Sequence, residues 1–216
     1  MVHPTRMVQD AHAGARCATR VARRHNGSRP TSHEEPPVND LLTSFVESRT
    51  VDATLATTQG EAVLTMVHEL PSTPEQTWAL ITDPQLAATW SPVVGDRPLD
   101  TVGPAISREN ADDEPVDAEV LVAEPPRELV HRWGADELRW SVAAHERGSR
   151  LTLRQVLEDP TQASSLAAGW HLCLAGLEAR AAGHDVSRPV GTEAARRYGW
   201  DQLRDGYDVL FAQQQH

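Results

Sequence analysis

From Glu61 to Ala182 the chain carries one continuous pattern of strand-like and helix-like segments. Several short segments alternate apolar and polar residues, and then one long segment, SSLAAGWHLCLAGLEARAA, repeats apolar residues at three- and four-residue spacing. Period two marks half-buried strands, and the longer period marks a helix with an apolar stripe. Consecutive strands with short loops pair antiparallel. The order predicts an α+β fold: one strand, two short helices, many strands, then a long helix gripped by a curved antiparallel sheet. Such a sheet leaves a gap beneath the helix in which a small molecule fits.

The local signals are specific. Val63 to Leu70 reads as the first strand. Thr73, Pro74 and Gln76 form a capping box with proline at the first helical position, and Asp83-Pro84 stops that helix and starts another toward Trp90. Strands are expected over Leu99–Val102, Ala105–Glu109, Val116–Ala123, Glu128–Trp133, Glu137–His145 and Arg150–Leu157, the last two joined by a turn at Glu146 to Ser149. The long helix is expected from about Thr161 to Ala182, with Leu166, Trp170, Cys173, Leu174, Leu177 and Ala181 on one stripe and Gly183 ending it. A last amphipathic helix near Glu193–Phe211 offers Trp200, Leu203, Tyr207 and Leu210 to the body.

Three parts follow. Residues 1–55 read as a disordered or non-native N-terminal extension, with a short helix at Leu41 to Val51. Residues 56–183 form the folded domain, and 184–216 a linker and docking helix. No apolar run approaches the roughly 20 residues that span a bilayer, and the first 30 residues lack the apolar stretch of a secretory signal. A cytoplasmic location is therefore the expectation. Residues 34–216 carry 30 acids against 14 arginines, so this body repels nucleic acid and anionic membranes. Cys17 and Cys173 are the two cysteines; Cys173 lies on the helix stripe and reads as a buried, inert thiol.

Five pieces carry a family resemblance. They are P-x-x-x-W-x-L-I-T-D-P from Pro74 to Pro84, AEPPRELVHRW from Ala123 to Trp133, L-R-W from Leu138, R-L-T-L from Arg150, and A-A-G-W-H-x-C-L from Ala167. In this order and spacing the chain resembles the SRPBCC (START-like, helix-grip) superfamily, and within it bacterial relatives of the activator of the heat-shock protein 90 ATPase. The resemblance implies a hydrophobic cavity between sheet and long helix. Its members bind lipids, polyketides, hormones or aromatics, and a minority are cyclases or hydrolases. Chaperone-activating members use a separate N-terminal domain with an asparagine- and tryptophan-rich motif. Residues 1–60 contain none, so that activity is not carried over.

Candidate ligand-contacting residues follow from parity. Gln155 shares its face with Leu151, Leu153 and Leu157, and a buried amide needs partners. Either a ligand or a neighbouring side chain supplies them. His131 shares a face with Leu129 and Trp133, as an acid-base group or a satisfied core histidine. His171 lies beside the helix stripe, at the pocket mouth or at a solvent edge. Among Trp78, Trp90, Trp133, Trp140 and Trp170, residues Trp140 and Trp170 are expected to touch the cavity first, with Trp90 beside them; Met66 and His68 are weaker candidates. The scattered histidines predict no metal site, and the chain has no nucleophile elbow, phosphate loop or dinucleotide fingerprint. No cofactor is expected.

The leading functional reading is a protein that binds an unidentified hydrophobic small molecule. The alternatives are an enzyme of cyclase, dehydratase or hydrolase type using the same cavity, and a chaperone-associated or other protein-interaction module.

Overall fold

The computed structural model describes residues 41–214. Helix α1 (Leu41–Ser48) leads to β1 (Thr54–Thr58) and β2 (Glu61–Leu70), then α2 (Pro74–Thr82) and α3 (Pro84–Ala87). Three short strands, β3 (Val94–Gly95), β4 (Ile106–Arg108) and β5 (Val116–Asp117), precede four longer ones: β6 (Val120–Glu124), β7 (Glu128–Trp133), β8 (Asp136–His145) and β9 (Gly148–Leu157). The long helix α4 (Ala163–Ala181) is followed by α5 (Gly191–Arg197) and α6 (Trp200–Gln214). The main sheet has six antiparallel strands in the order β1-β2-β9-β8-β7-β6; β3, β4 and β5 form a separate sheet.

The capping signals operate as chemistry. Thr73 Oγ1 accepts from the Gln76 amide at 3.3 Å, and Gln76 Oε1 accepts from the Thr73 amide at 2.9 Å. The Asp83 amide donates to Ala79 O and closes α2, while its carboxylate accepts from the Gln85 amide at 2.8 Å and opens α3.

Strand register places matched residues in rows across the inner face. One row runs Met66, Leu153, Trp140, Leu129; the next runs Leu64, Gln155, Leu138, His131, Val120. All nine are buried. The α4 helix lies over these rows. Its outer side is covered too, by α1 and α6, so fourteen of its residues are buried, the small Ala167, Ala168, Ala175 and Gly176 among them. A side chain at Gly176 would meet the Pro189 ring at 3.0 Å, because the linker runs back along the helix.

Four expectations are corrected. Leu99–Val102 is a loop, because Arg97 donates to the carbonyls of Pro98, Thr101, Gly103 and Pro104 and winds the chain round its guanidinium. Val116–Ala123 divides between two sheets at Ala118-Glu119. The last helix breaks at Gly199, whose φ is +71°. Part of the assigned N-terminal extension is ordered: Leu42 and Val46 of α1 are buried, and β1 is the sheet edge. Residues 1–40 of that extension lie outside the described residues.

The β8–β9 turn makes a sharp demand. Gly148 has φ +148°, and a Cβ there would lie 2.1 Å from Leu70 O. Gly60, at φ +88°, has nothing within 4 Å of the same point. Gly148→Ala should lower stability by about 3 kcal/mol and Gly60→Ala by about 1 kcal/mol, read from denaturant midpoints. Equal losses would refute the steric account.

Candidate functional site

Beneath α4 four indoles form a continuous array. Trp170, from the helix, stands 5.6 Å from Trp133 and 5.5 Å from Trp140, centroid to centroid. Trp140 in turn meets Trp90 at 6.1 Å and 88°. The edge-to-face geometry at Trp140 sets ring edges against ring faces, the favourable arrangement of their quadrupoles. The inner face thus offers aromatic surface from mid-sheet to Trp90, whose own indole N–H donates to Leu80 O at 2.9 Å.

Two polar circuits thread the array. Trp170 Nε1 donates to Gln155 Oε1 at 2.7 Å, Gln155 Nε2 donates to Asp136 Oδ2 at 2.5 Å, and Asp136 Oδ1 accepts from the Glu158 amide at 2.8 Å. Trp140 Nε1 donates to His131 Nε2 at 3.1 Å, and His131 Nδ1 donates to Arg132 O at 2.8 Å. These partners place the His131 proton on Nδ1. Burial lowers the His131 pKa to about 4 against the opposing pull of the Arg132 carbonyl, so the ring is neutral at neutral pH. Burial raises the Asp136 carboxyl, against its bonds from Glu158 and Gln155. The two titratable groups belong to separate circuits, with no bond between them.

The structure brings Trp140, Trp170, Trp90, Gln155 and His131 together under the helix, with Met66 in the adjoining row. It places His171 elsewhere. That ring is 1% exposed, not at a solvent edge, and faces the outer helical layer. Its Nδ1 accepts from the Tyr207 hydroxyl at 3.0 Å, and its Nε2 donates to Val46 O at 3.2 Å, pinning α1 and α6 to α4. Burial, then the Arg49 charge, lowers its pKa to about 4. His68 is half-buried, against the Arg49 guanidinium, Leu174 O and Glu178. The Cys173 thiol is fully buried and its pKa is pushed up, which keeps it inert.

Asp136 was missed, although it shares parity with Leu138 and Trp140; extending that strand by one residue would have found it. A second feature had no periodic signal. A recess of about 410 Å³ opens beside α3, lined by Ala88, Val94, Asp96, Arg108, Glu109 and Arg188 among others. The acidic run at Asp112 closes its own loop, with Asp113 Oδ2 accepting from the Asn110 amide and side chain, both at 2.9 Å. Among the described residues no group of His, Cys, Asp and Glu is placed to hold a metal. No helix among them is long and apolar enough to cross a membrane.

A six-stranded antiparallel sheet closed round one long helix, with an aromatic interior between them, is the helix-grip architecture. Residues 71–182 match the Activator of Hsp90 ATPase homolog 1-like protein family, and the chain belongs to it. Solved structures agree on the fold. CalU16 of Micromonospora echinospora is 17% identical, with TM-score 0.56 over 74% of this chain and 96% of its own. EF2215 of Enterococcus faecalis is 13% identical, with TM-score 0.59 over 76% of this chain and 92% of its own. DynU16, from the dynemicin biosynthetic locus, is 21% identical, with TM-score 0.51 over 57% of this chain and 48% of its own. No curated protein sequence matches the chain.

Both low histidine pKa values make stability pH-dependent. A folded pKa of about 4 lies below the unfolded value of 6.5, so the unfolded chain binds protons that the fold refuses. The contribution is complete above pH 6.5 and is lost as pH falls toward 4, roughly 2 kcal/mol per histidine between pH 7 and pH 5. Denaturant midpoints across that range should fall, and His131→Gln should show a shallower fall. Equal slopes would show that His131 titrates normally in the fold.

Proposed function

We propose that the protein binds a small apolar or aromatic molecule between the main sheet and α4. The observation that carries this reading is the row of indoles Trp133, Trp170, Trp140 and Trp90. The indole N–H groups of Trp90, Trp140 and Trp170 are already satisfied internally, so what these residues present to a guest is ring surface. A guest therefore gains from apolar and stacking contact, about 25 cal/mol for each Å² removed from water, and not from hydrogen bonds to Gln155 or His131. Those two residues hold the aromatic walls, and ligand contact falls to Trp140, Trp170 and Trp90. The neutral, fully bonded His131 speaks against acid-base catalysis at this position, so binding is preferred over turnover.

A second reading has its own support. The closed circuits and the mutual packing of the indoles also suit an interior filled by its own side chains, with the acidic body surface meeting a basic protein partner. Native mass spectrometry of the full chain purified from cells separates the two. The binding reading expects extra mass that disappears on denaturation, and Trp140→Ala should abolish it while lowering stability by about 3–5 kcal/mol. A bare protein mass, with tryptophan fluorescence indifferent to added lipids, polyketides and aromatics, would overturn the binding reading in favour of the interaction module.

A further inference from the structure

Arg188 lies in the linker after α4, where no regular element holds it, yet its guanidinium is fixed in place. Its Nε donates to Ser91 O at 2.9 Å, one terminal nitrogen donates to the same oxygen at 2.5 Å, and the other donates to Glu109 O at 2.6 Å. Three of the five N–H donors of an arginine are thereby used. Two remain, on a group whose position is set by backbone alone. Across the recess Arg108 is held in the same way, its Nε donating to Asp113 O at 3.2 Å.

Neither guanidinium forms an ion pair among the described residues. Arg132, Arg139, Arg150, Arg180 and Arg204 all do. Like Arg97, Arg108 and Arg188 are held by carbonyl oxygens instead, and these two line one recess. A guanidinium with N–H groups left unused by backbone, partly removed from water and pre-positioned, matches a planar carboxylate.

The carboxylates facing the recess have other commitments. Asp96 Oδ1 accepts from the Ile106 amide at 3.0 Å, and Asp113, outside the lining, is bound through Oδ2 to Asn110. Burial moves the Glu109 carboxyl upward, against the pull of Arg188. Ala88 and Val94 supply apolar wall, and the recess of about 410 Å³ falls in the size range of small-molecule sites. Trp90, the outer end of the indole array, lies between Ala88 and Val94 in the chain, next to the Ser91 carbonyl that holds Arg188.

We infer that this recess binds the carboxylate of a small aromatic acid, with Arg108 and Arg188 as its charge partners and the aromatic part directed toward Trp90. The inference rests on the proposed small-molecule reading for the aromatic part of the ligand. It adds the charge of that ligand and the place where its polar end is held.

Calorimetric titration of the full chain with 2-naphthoate and with its neutral counterpart 2-naphthamide tests it. Naphthoate should bind at least tenfold more tightly than the amide, and added salt should narrow the gap. Arg108→Gln, at a half-exposed position, should remove most of that preference, with the melting temperature read alongside to show that the variant is folded. Arg188→Gln should remove the preference as well. Equal affinity for the two probes, or a tenfold preference that survives both substitutions, would overturn the anion site while the apolar reading stands. Failure of both probes to bind at millimolar concentration would overturn the carboxylate site, and, joined by a bare native mass and indifference to lipids and polyketides, the apolar reading with it.

Discussion

A buried primary amide has to find its hydrogen-bond partners without water, and the interior of this protein is organised round one that bonds through both its oxygen and its nitrogen to neighbouring side chains. Gln155 sits in the middle of the sheet with 0% exposure. Its oxygen takes the Trp170 indole proton from the helix, and its nitrogen gives to Asp136 at the start of β8. One side chain therefore sets the distance from helix to sheet and the direction in which Trp170 points. Losing the amide would leave an indole N–H and a carboxylate oxygen buried together, each costing about 1–3 kcal/mol. The edge-to-face contacts of Trp170 with Trp140, and through it with Trp90, depend on that orientation.

The same logic separates what was legible in the sequence from what was not. Strand parity read the inward faces correctly, including the positions of Gln155 and His131, because period two leaves only two choices and Leu151, Leu153 and Leu157 decide between them. Capping at Thr73 and Asp83 was equally readable, since each cap is a local bond between residues two or three apart. Parity cannot say what waits on the far side of a face. Gln155 was open to a ligand or a neighbour, and the neighbour is Trp170, fifteen residues on. His171 failed for a related reason. An apolar stripe on α4 implies a solvent side, but alanine and glycine are compatible with either environment. Burial of the second side by α1 and α6 leaves no periodic mark.

That second layer changes how the grip works. The family match begins at residue 71 and ends at 182, whereas α1, β1, β2, α5 and α6 lie outside it. Of these, α1 and α6 meet on the outer surface of α4. Leu42, Val46, Tyr207 and Phe211 are buried there, and His171 bonds to both flanks. Arg49 joins them, its guanidinium buried against His68 and 3.9 Å from Glu178, with a pKa lowered to about 10 by that burial. A buried cation with so few partners is costly to maintain, and it holds only while the N-terminal segment stays docked.

A helix clamped on both sides cannot swing outward to admit a guest, which constrains where any molecule reaches the indoles. Moving α4 away from the sheet would break the Trp170–Gln155 bond and compress the layer formed by α1 and α6. The opposite end of the array is less encumbered. There Trp90 is backed by α3, the short β3–β4 hairpin and the linker through Arg188, elements held largely by side chain to carbonyl bonds and not by a long ladder. Segments with short strands and few ladder bonds open at lower free energy than a six-stranded sheet. Access to the aromatic interior is thus expected past Trp90, from the side on which the recess and its two guanidinium groups already lie.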